Sequence, residues 1–162
     1  MNALYASGGP NGIGSFRKIE LVRSGKPIVQ FDLYDFLLKG DLSKNILLQD
    51  EDVIRVGAYE TRVAVVGATK KQALFDIKKG ESALDLLEFA GGFADLGYKE
   101  MIRIKRMGAK GKEVLTVKAN QLSRFALVSG DTLVVDALAT NYVNRISIQG
   151  AVYYPGEYGL SE

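Results

Sequence analysis

The chain has 162 residues, 47% hydrophobic and 25% charged, with a net charge of +2, a balance typical of a globular fold. No apolar run approaches the roughly 20 residues of a membrane span, and so small a net charge gives no reason to expect a nucleic-acid partner. Cysteine and histidine are absent, which excludes thiol and imidazole nucleophiles, Cys/His zinc sites and disulfide staples. Acids, tyrosines and lysines could catalyse in principle, but no pair of them falls at a telling spacing, so the expectation is a non-enzyme with no catalytic residue, no cofactor and no metal. Met1 and Asn2 lead directly into what reads as the end of a helix, with no signal-peptide pattern, so the chain is expected to be a segment of a longer protein.

Residues 3–16 (ALYASGGPNGIGSF) resemble a phosphate-cradling glycine loop, but such loops run from a strand into a helix N-terminus. Here a helix end precedes the glycines and a strand follows, so a chain reversal is the better reading. Strands are predicted at 17–23 and 27–31 about a turn at Ser24, Gly25 and Lys26, and a helix of barely two turns at 32–40. Apolar runs at 46–48 and 53–56 flank Gln49, Asp50, Glu51 and Asp52. Hard cations take carboxylates, but these acids lack the glycine-spaced loop of such a site and read as a turn. Strands follow at 62–68 and 73–77.

Residues 80–92 (GESALDLLEFAGG) are the clearest helix. Ser82 is its N-cap, Asp85 complements the first-turn amides, Leu84, Leu87 and Ala90 recur at helical spacing, and Gly91 and Gly92 end it. Leu84 and Leu87 are expected to face Val65, Phe75, Ile102, Ile104, Leu133 and Val135. A hairpin is predicted from strands at 98–107 and 113–117, then a short helical turn at 119–123, a turn at Ser129, Gly130 and Asp131, and a strand at 132–136. The tail, 144–162, reads as another hairpin with its turn at Pro155 and Gly156.

An internal repeat organises these elements. Gly8 and Gly91 stand 83 positions apart, and the same offset superposes Ile19, Leu21 and Arg23 on Ile102, Ile104 and Arg106, and RVAVVGA from Arg62 on RISIQGA from Arg145. Asp52 meets Asp131 at an offset of 79, a slip that a difference in loop length explains. The chain therefore divides into residues 1–58, a unit lacking its first hairpin and most of its helix, 62–137, a complete unit, and 142–162, the opening hairpin of a third. One helix across a mixed sheet bracketed by hairpins makes the complete unit an α+β domain of the ubiquitin-like β-grasp type.

Between Lys99 and Lys118 there are seven Lys or Arg against two Glu. Much of this is the solvated face of a strand; read functionally, Lys99, Arg103, Lys105 and Arg106 form a face for an acidic glycan or an acidic partner.

The run from Gly150 through Val152, Pro155, Gly156, Tyr158 and Leu160 resembles the opening signature of the SLBB domain, a soluble-ligand-binding β-grasp module. Ala90, Gly91, Gly92, Arg106, Leu127, Gly130, Asp131, Leu133 and Val135 resemble the rest of its pattern in order, whereas Gln72 and Ala73 replace a Pro-Gly pair. Tandem SLBB units are similar to those of bacterial polysaccharide export proteins. That resemblance implies a periplasmic, outer-membrane-associated segment of a capsule or exopolysaccharide exporter, acting in assembly of an oligomeric conduit, with carbohydrate binding and without catalysis. It implies a homo-oligomer, polysaccharide contact and membrane association through parts outside this chain. The alternative is an SLBB ligand-binding or docking module of a respiratory complex or a cobalamin-binding protein, although an iron–sulfur subunit would need cysteine.

Overall fold

The computed structural model describes residues 1–139 and 143–160. Strand β1 (Gly14–Arg23) is flanked by β2 (Lys26–Phe31) and β3 (Val53–Ala58) in an antiparallel sheet of order β2-β1-β3. A second sheet contains β4 (Thr61–Gly67), β5 (Ala73–Ile77), β6 (Met101–Gly108), β7 (Gly111–Lys118) and β8 (Thr132–Val135) in the order β5-β4-β8-β6-β7. Its β4 and β8 run parallel. The tail forms a two-stranded sheet from β9 (Arg145–Ile148) and β10 (Gly156–Gly159). Residues 46–48 form no strand.

Among the described residues, three α-helices, α1 (Asn2–Ala6), α2 (Leu33–Lys39) and α3 (Ala83–Phe89), and one 3-10 helix (Ala119–Arg124) accompany the sheets. Helix α3 starts where Ser82 accepts from the Asp85 amide while the Asp85 carboxylate accepts from the Ser82 amide, a capping box, which satisfies two otherwise orphaned donors. Asp32 caps α2 through the Tyr34 amide, and Gly40 closes it in the left-handed region.

The core lies between α3 and the five-stranded sheet. Val63, Val65, Ile102, Ile104, Leu133 and Val135 are almost fully buried under Ala83, Leu86, Leu87 and Ala90. The expectation for Leu84 is corrected here: it is 37% exposed, and Leu86 is 0% exposed. The buried stripe is i, i+3, i+4, i+7 counted from Ala83, and Leu84 stands about 100° away from its start around the helix.

The repeat is reproduced in the hydrogen-bond registers. Val63 pairs with Phe75 and Val65 with Ala73 in β4–β5; Ile146 pairs with Tyr158 and Ile148 with Gly156 in β9–β10, each partner shifted by the same 83 positions. Ile104 opposite Leu133 recurs as Leu21 opposite Ile54, at the two offsets read from the sequence. The helix ending recurs as well. The amides of Gly8 and Gly9 donate to the Tyr5 and Leu4 carbonyls, as those of Gly91 and Gly92 do to Glu88 and Leu87. Even the left-handed Glu51, at φ 62°, falls on Gly130, at φ 88°.

Candidate functional site

A β-strand turns alternate side chains to opposite faces, and this separates the four basic residues expected to share one. Arg103 and Lys105 point outward from β6, while Ile102, Ile104 and Arg106 have the opposite phase. Arg103 is ion-paired with Asp136. Lys105 and Lys99 are exposed, and neither carries an ion pair among the described residues. The shared face of Lys99, Arg103, Lys105 and Arg106 is therefore corrected: Arg106 does not belong to it.

Arg106 instead closes the loop ahead of β8. Its Nε donates to Asp131 Oδ1 at 2.9 Å and its Nη2 to Oδ2 at 2.6 Å and to the Ala126 carbonyl at 3.1 Å. Asp131 also accepts from the Val128 amide at 2.9 Å. The same clamp occurs in the first sheet. Arg23 donates twice to Asp52, both at 2.8 Å, and to the Leu47 carbonyl, and Asp52 accepts from the Gln49 amide. The Arg23 guanidinium, with help from that amide, holds the Asp52 carboxyl down at about 2. Bidentate guanidinium–carboxylate pairing is strong and geometrically exacting, and here it pins a loop twice over. Asp52 is thus committed to the Arg23 guanidinium.

A second charged cluster joins the first two sheets. Arg17, on the buried face of β1, donates through Nε to both Asp32 oxygens at 3.1 and 3.0 Å and through Nη1 to Glu81 at 2.5 Å. Its guanidinium lies 4.7 Å from the Tyr34 ring centroid and 5.1 Å from that of Phe89, within cation–π range. Lys78 adds a 2.5 Å bond to Asp32. Burial pushes the Asp32 carboxyl up, but the bonds from Arg17, Lys78 and the Tyr34 amide outweigh it and leave it lowered. Asp76 accepts from the Phe16 amide at 2.9 Å and from Arg62 Nε at 2.7 Å, and Arg62 also donates to the Gly12 and Gly14 carbonyls. These groups fix the relative position of the two sheets.

Tyr34 extends from α2 into the core of the five-stranded sheet, where its hydroxyl accepts from the Asp76 amide at 2.9 Å. Burial pushes its phenol up to about 12. In the unfolded chain a phenol ionises near 10, so this group's contribution is complete below about pH 10 and lost as pH rises towards 12. Melting temperature is expected to fall more steeply over that interval in the native protein than in Tyr34→Phe. Equal slopes would contradict the assignment.

The glycine signals sit at backbone positions that need them. Gly91 and Gly92 end α3 with φ of 77° and 84°, and Gly130 precedes Asp131 in the clamped turn. Gly150 closes β9, Pro155 precedes β10, Gly156 begins it, and the Tyr158 hydroxyl donates to the Tyr154 carbonyl at 2.6 Å. Although Gln72 and Ala73 replace Pro-Gly in the second unit, β5 starts at Ala73 in the register that Gly156 has in β10.

The model of the SLBB domain family matches residues 62–118. This segment is an SLBB domain. The match covers β4 through β7 with α3 between them, the part of the sheet built from two hairpins and the capped helix. No curated protein matches the chain. The SLBB segment continues structurally through β8, which inserts between β4 and β6 and brings the Arg106–Asp131 clamp with it. No helix among the described residues is long and apolar enough to cross a membrane.

Sequence reasoning missed Arg17, Asp32, Asp76 and Glu81 as a group, although a signal existed. Arg17 shares the phase of Ile19 and Leu21 in β1, and a charge at an apolar position of a strand demands a buried partner. Which carboxylates answer it is a tertiary fact.

Proposed function

We propose that the chain is a periplasmic segment of an outer-membrane polysaccharide export protein, in which SLBB units repeated along one chain build an oligomeric conduit without catalysis. Residues 1–58 and 142–162 are then further, partial SLBB units around the domain at 62–137. The observation that carries the reading is the repetition of one strand register in successive parts of the chain. A conduit wall needs units that present the same edges again and again, whereas a module for one small ligand needs one enclosed pocket. On this reading the outward face of Lys99, Arg103 and Lys105 meets an acidic glycan or an acidic neighbouring surface through exposed, salt-sensitive contacts. Membrane association would come from parts outside this chain.

The test is made in the parent organism. In-frame removal of residues 61–135 from the gene is expected to abolish polysaccharide at the cell surface while polymer accumulates inside. Titration of the purified chain with an anionic polysaccharide is expected to give binding that weakens between low and high salt. Normal surface polysaccharide in the deletion strain overturns the export reading; binding indifferent to salt removes the basic face from it.

A further inference from the structure

We propose that the β9–β10 hairpin of one copy of this chain completes the three-stranded sheet of a second copy, with β9 lying parallel beside β3. The inference stands on strand register and does not depend on the export reading.

The five-stranded sheet shows what a complete unit contains. Its β6, β7 and β8 correspond to β1, β2 and β3, and its β4–β5 hairpin places β4 beside β8. Among the described residues no strand lies beyond β3 in the three-stranded sheet, so that edge keeps unpaired backbone groups, the usual template for strand addition. The tail supplies the matching part. The β9–β10 hairpin has the β4–β5 register, but the residues equivalent to core positions have nothing to cover them. Val63, Val65, Phe75 and Ile77 are 0, 1, 5 and 6% exposed, whereas Ile146, Ile148, Tyr158 and Leu160 are 39, 37, 40 and 56% exposed. A lone hairpin of this kind is marginal in water.

Gly150 carries the inference furthest. Its counterpart Gly67 has φ 92°, and a Cβ there would overlap the Val135 carbonyl oxygen, because β8 passes too closely for any side chain. Gly150 holds φ 104° with nothing within 4 Å of the place its Cβ would occupy. Its backbone has the form of the close crossing without the strand that crosses. The register then follows from β4 and β8: Ser147 stands opposite Val53, Ile148 opposite Ile54 and Gly150 opposite Val56. The Ser147 and Ala151 amides would donate to the Asp52 and Val56 carbonyls, as Ala64 and Ala68 donate to Asp131 and Val135 at 3.0 and 2.8 Å.

A second copy is the occupant because, within the folded chain, β9 and β10 form a sheet of their own apart from β2-β1-β3 and every one of their residues is exposed. The donor hairpin and the acceptor edge are different surfaces: reciprocal exchange closes a twofold, isologous dimer, whereas one-way, heterologous exchange makes a ring or filament.

The absence of cysteine makes the test clean. Full chains carrying Ser147→Cys are mixed with full chains carrying Val53→Cys and oxidised, and a variant carrying both is oxidised alone. The expected result is a covalent pair in the mixture, with a much lower yield when Val53→Cys is replaced by Arg55→Cys, two residues out of register. A double variant that closes only on itself, or no bond in either sample, overturns the proposal. Gly150→Ala serves as the second arm, since the isolated hairpin has room for a methyl group and bears only the backbone strain of alanine at φ 104°. Its secondary structure is expected to be unchanged while light scattering shows association weakened by about ten-fold or more. Undiminished association in that variant also overturns the proposal.

Discussion

Arg17→Met is expected to lower the unfolding free energy by about 3–5 kcal/mol, the usual cost of removing one partner from a buried ion pair. The Arg17 and Asp32 side chains are 8% and 4% exposed, so water cannot replace the guanidinium, and the half-exposed Lys78 compensates the Asp32 carboxylate only in part. Methionine keeps much of the stem volume between Tyr34 and Phe89 and removes the charge, the fork of donors and the cation–π contacts. Arg17→Lys is expected to recover only a small part, because an ammonium cannot reach both Asp32 oxygens and Glu81 in one planar arrangement. Urea unfolding followed by circular dichroism measures both. The joint between the two sheets depends on this cluster, so the variant is also expected to unfold over a broader, less cooperative transition. A loss below about 1 kcal/mol would mean that packing alone holds the sheets together.

Gly67→Ala is expected to cost about 2–6 kcal/mol, the sum of left-handed strain in a non-glycine residue and an overpacked contact with the Val135 carbonyl. The site lies where β4 and β8 run parallel, and β8 is the central strand of its sheet, so the clash cannot relax towards solvent. Gly150→Ala places the same methyl group at the equivalent point of the tail, where it meets nothing, and is expected to cost the folded chain only the backbone strain. Thermal unfolding of the two variants side by side measures the contrast. Equal losses would mean that the two glycines do not hold equivalent places in the repeated frame.

Much of this frame was legible because it rests on local chemistry written twice. The Ser82–Asp85 cap, the glycine endings after α1 and α3, the hairpin turns and the two offsets are short-range features, and each element formed where its pattern stood. The errors came where phase was read loosely. Counting from Ile102 and Ile104 already sets Arg106 apart from Arg103 and Lys105, and a stripe anchored on Ala83 already excludes Leu84. The joint was less accessible. Arg17 announces a need for buried partners, but Asp32, Asp76 and Glu81 are distributed over a helix cap, a strand and a loop of two different units, and only the tertiary fold brings them within 3.5 Å of it or of one another's partners. The clamps are intermediate: Arg23 with Asp52 and Arg106 with Asp131 could have been paired by the repeat alone, since both members recur at its offsets.

The central claim is that the tail hairpin and the first sheet are complementary parts of one repeated unit, and amide hydrogen exchange at Ser147 and Ala151 tests it most directly. By analogy with Ala64, whose amide donates to the neighbouring parallel strand, the Ser147 amide points to the open side of β9 and is protected only when another strand lies there. Measured on the full chain across a dilution series, its protection is predicted to rise with protein concentration, together with that of Ala151, and to need a concentration about ten-fold higher or more in Gly150→Ala. Exchange at these two amides that stays fast at every concentration, or protection that does not depend on concentration, would contradict the account.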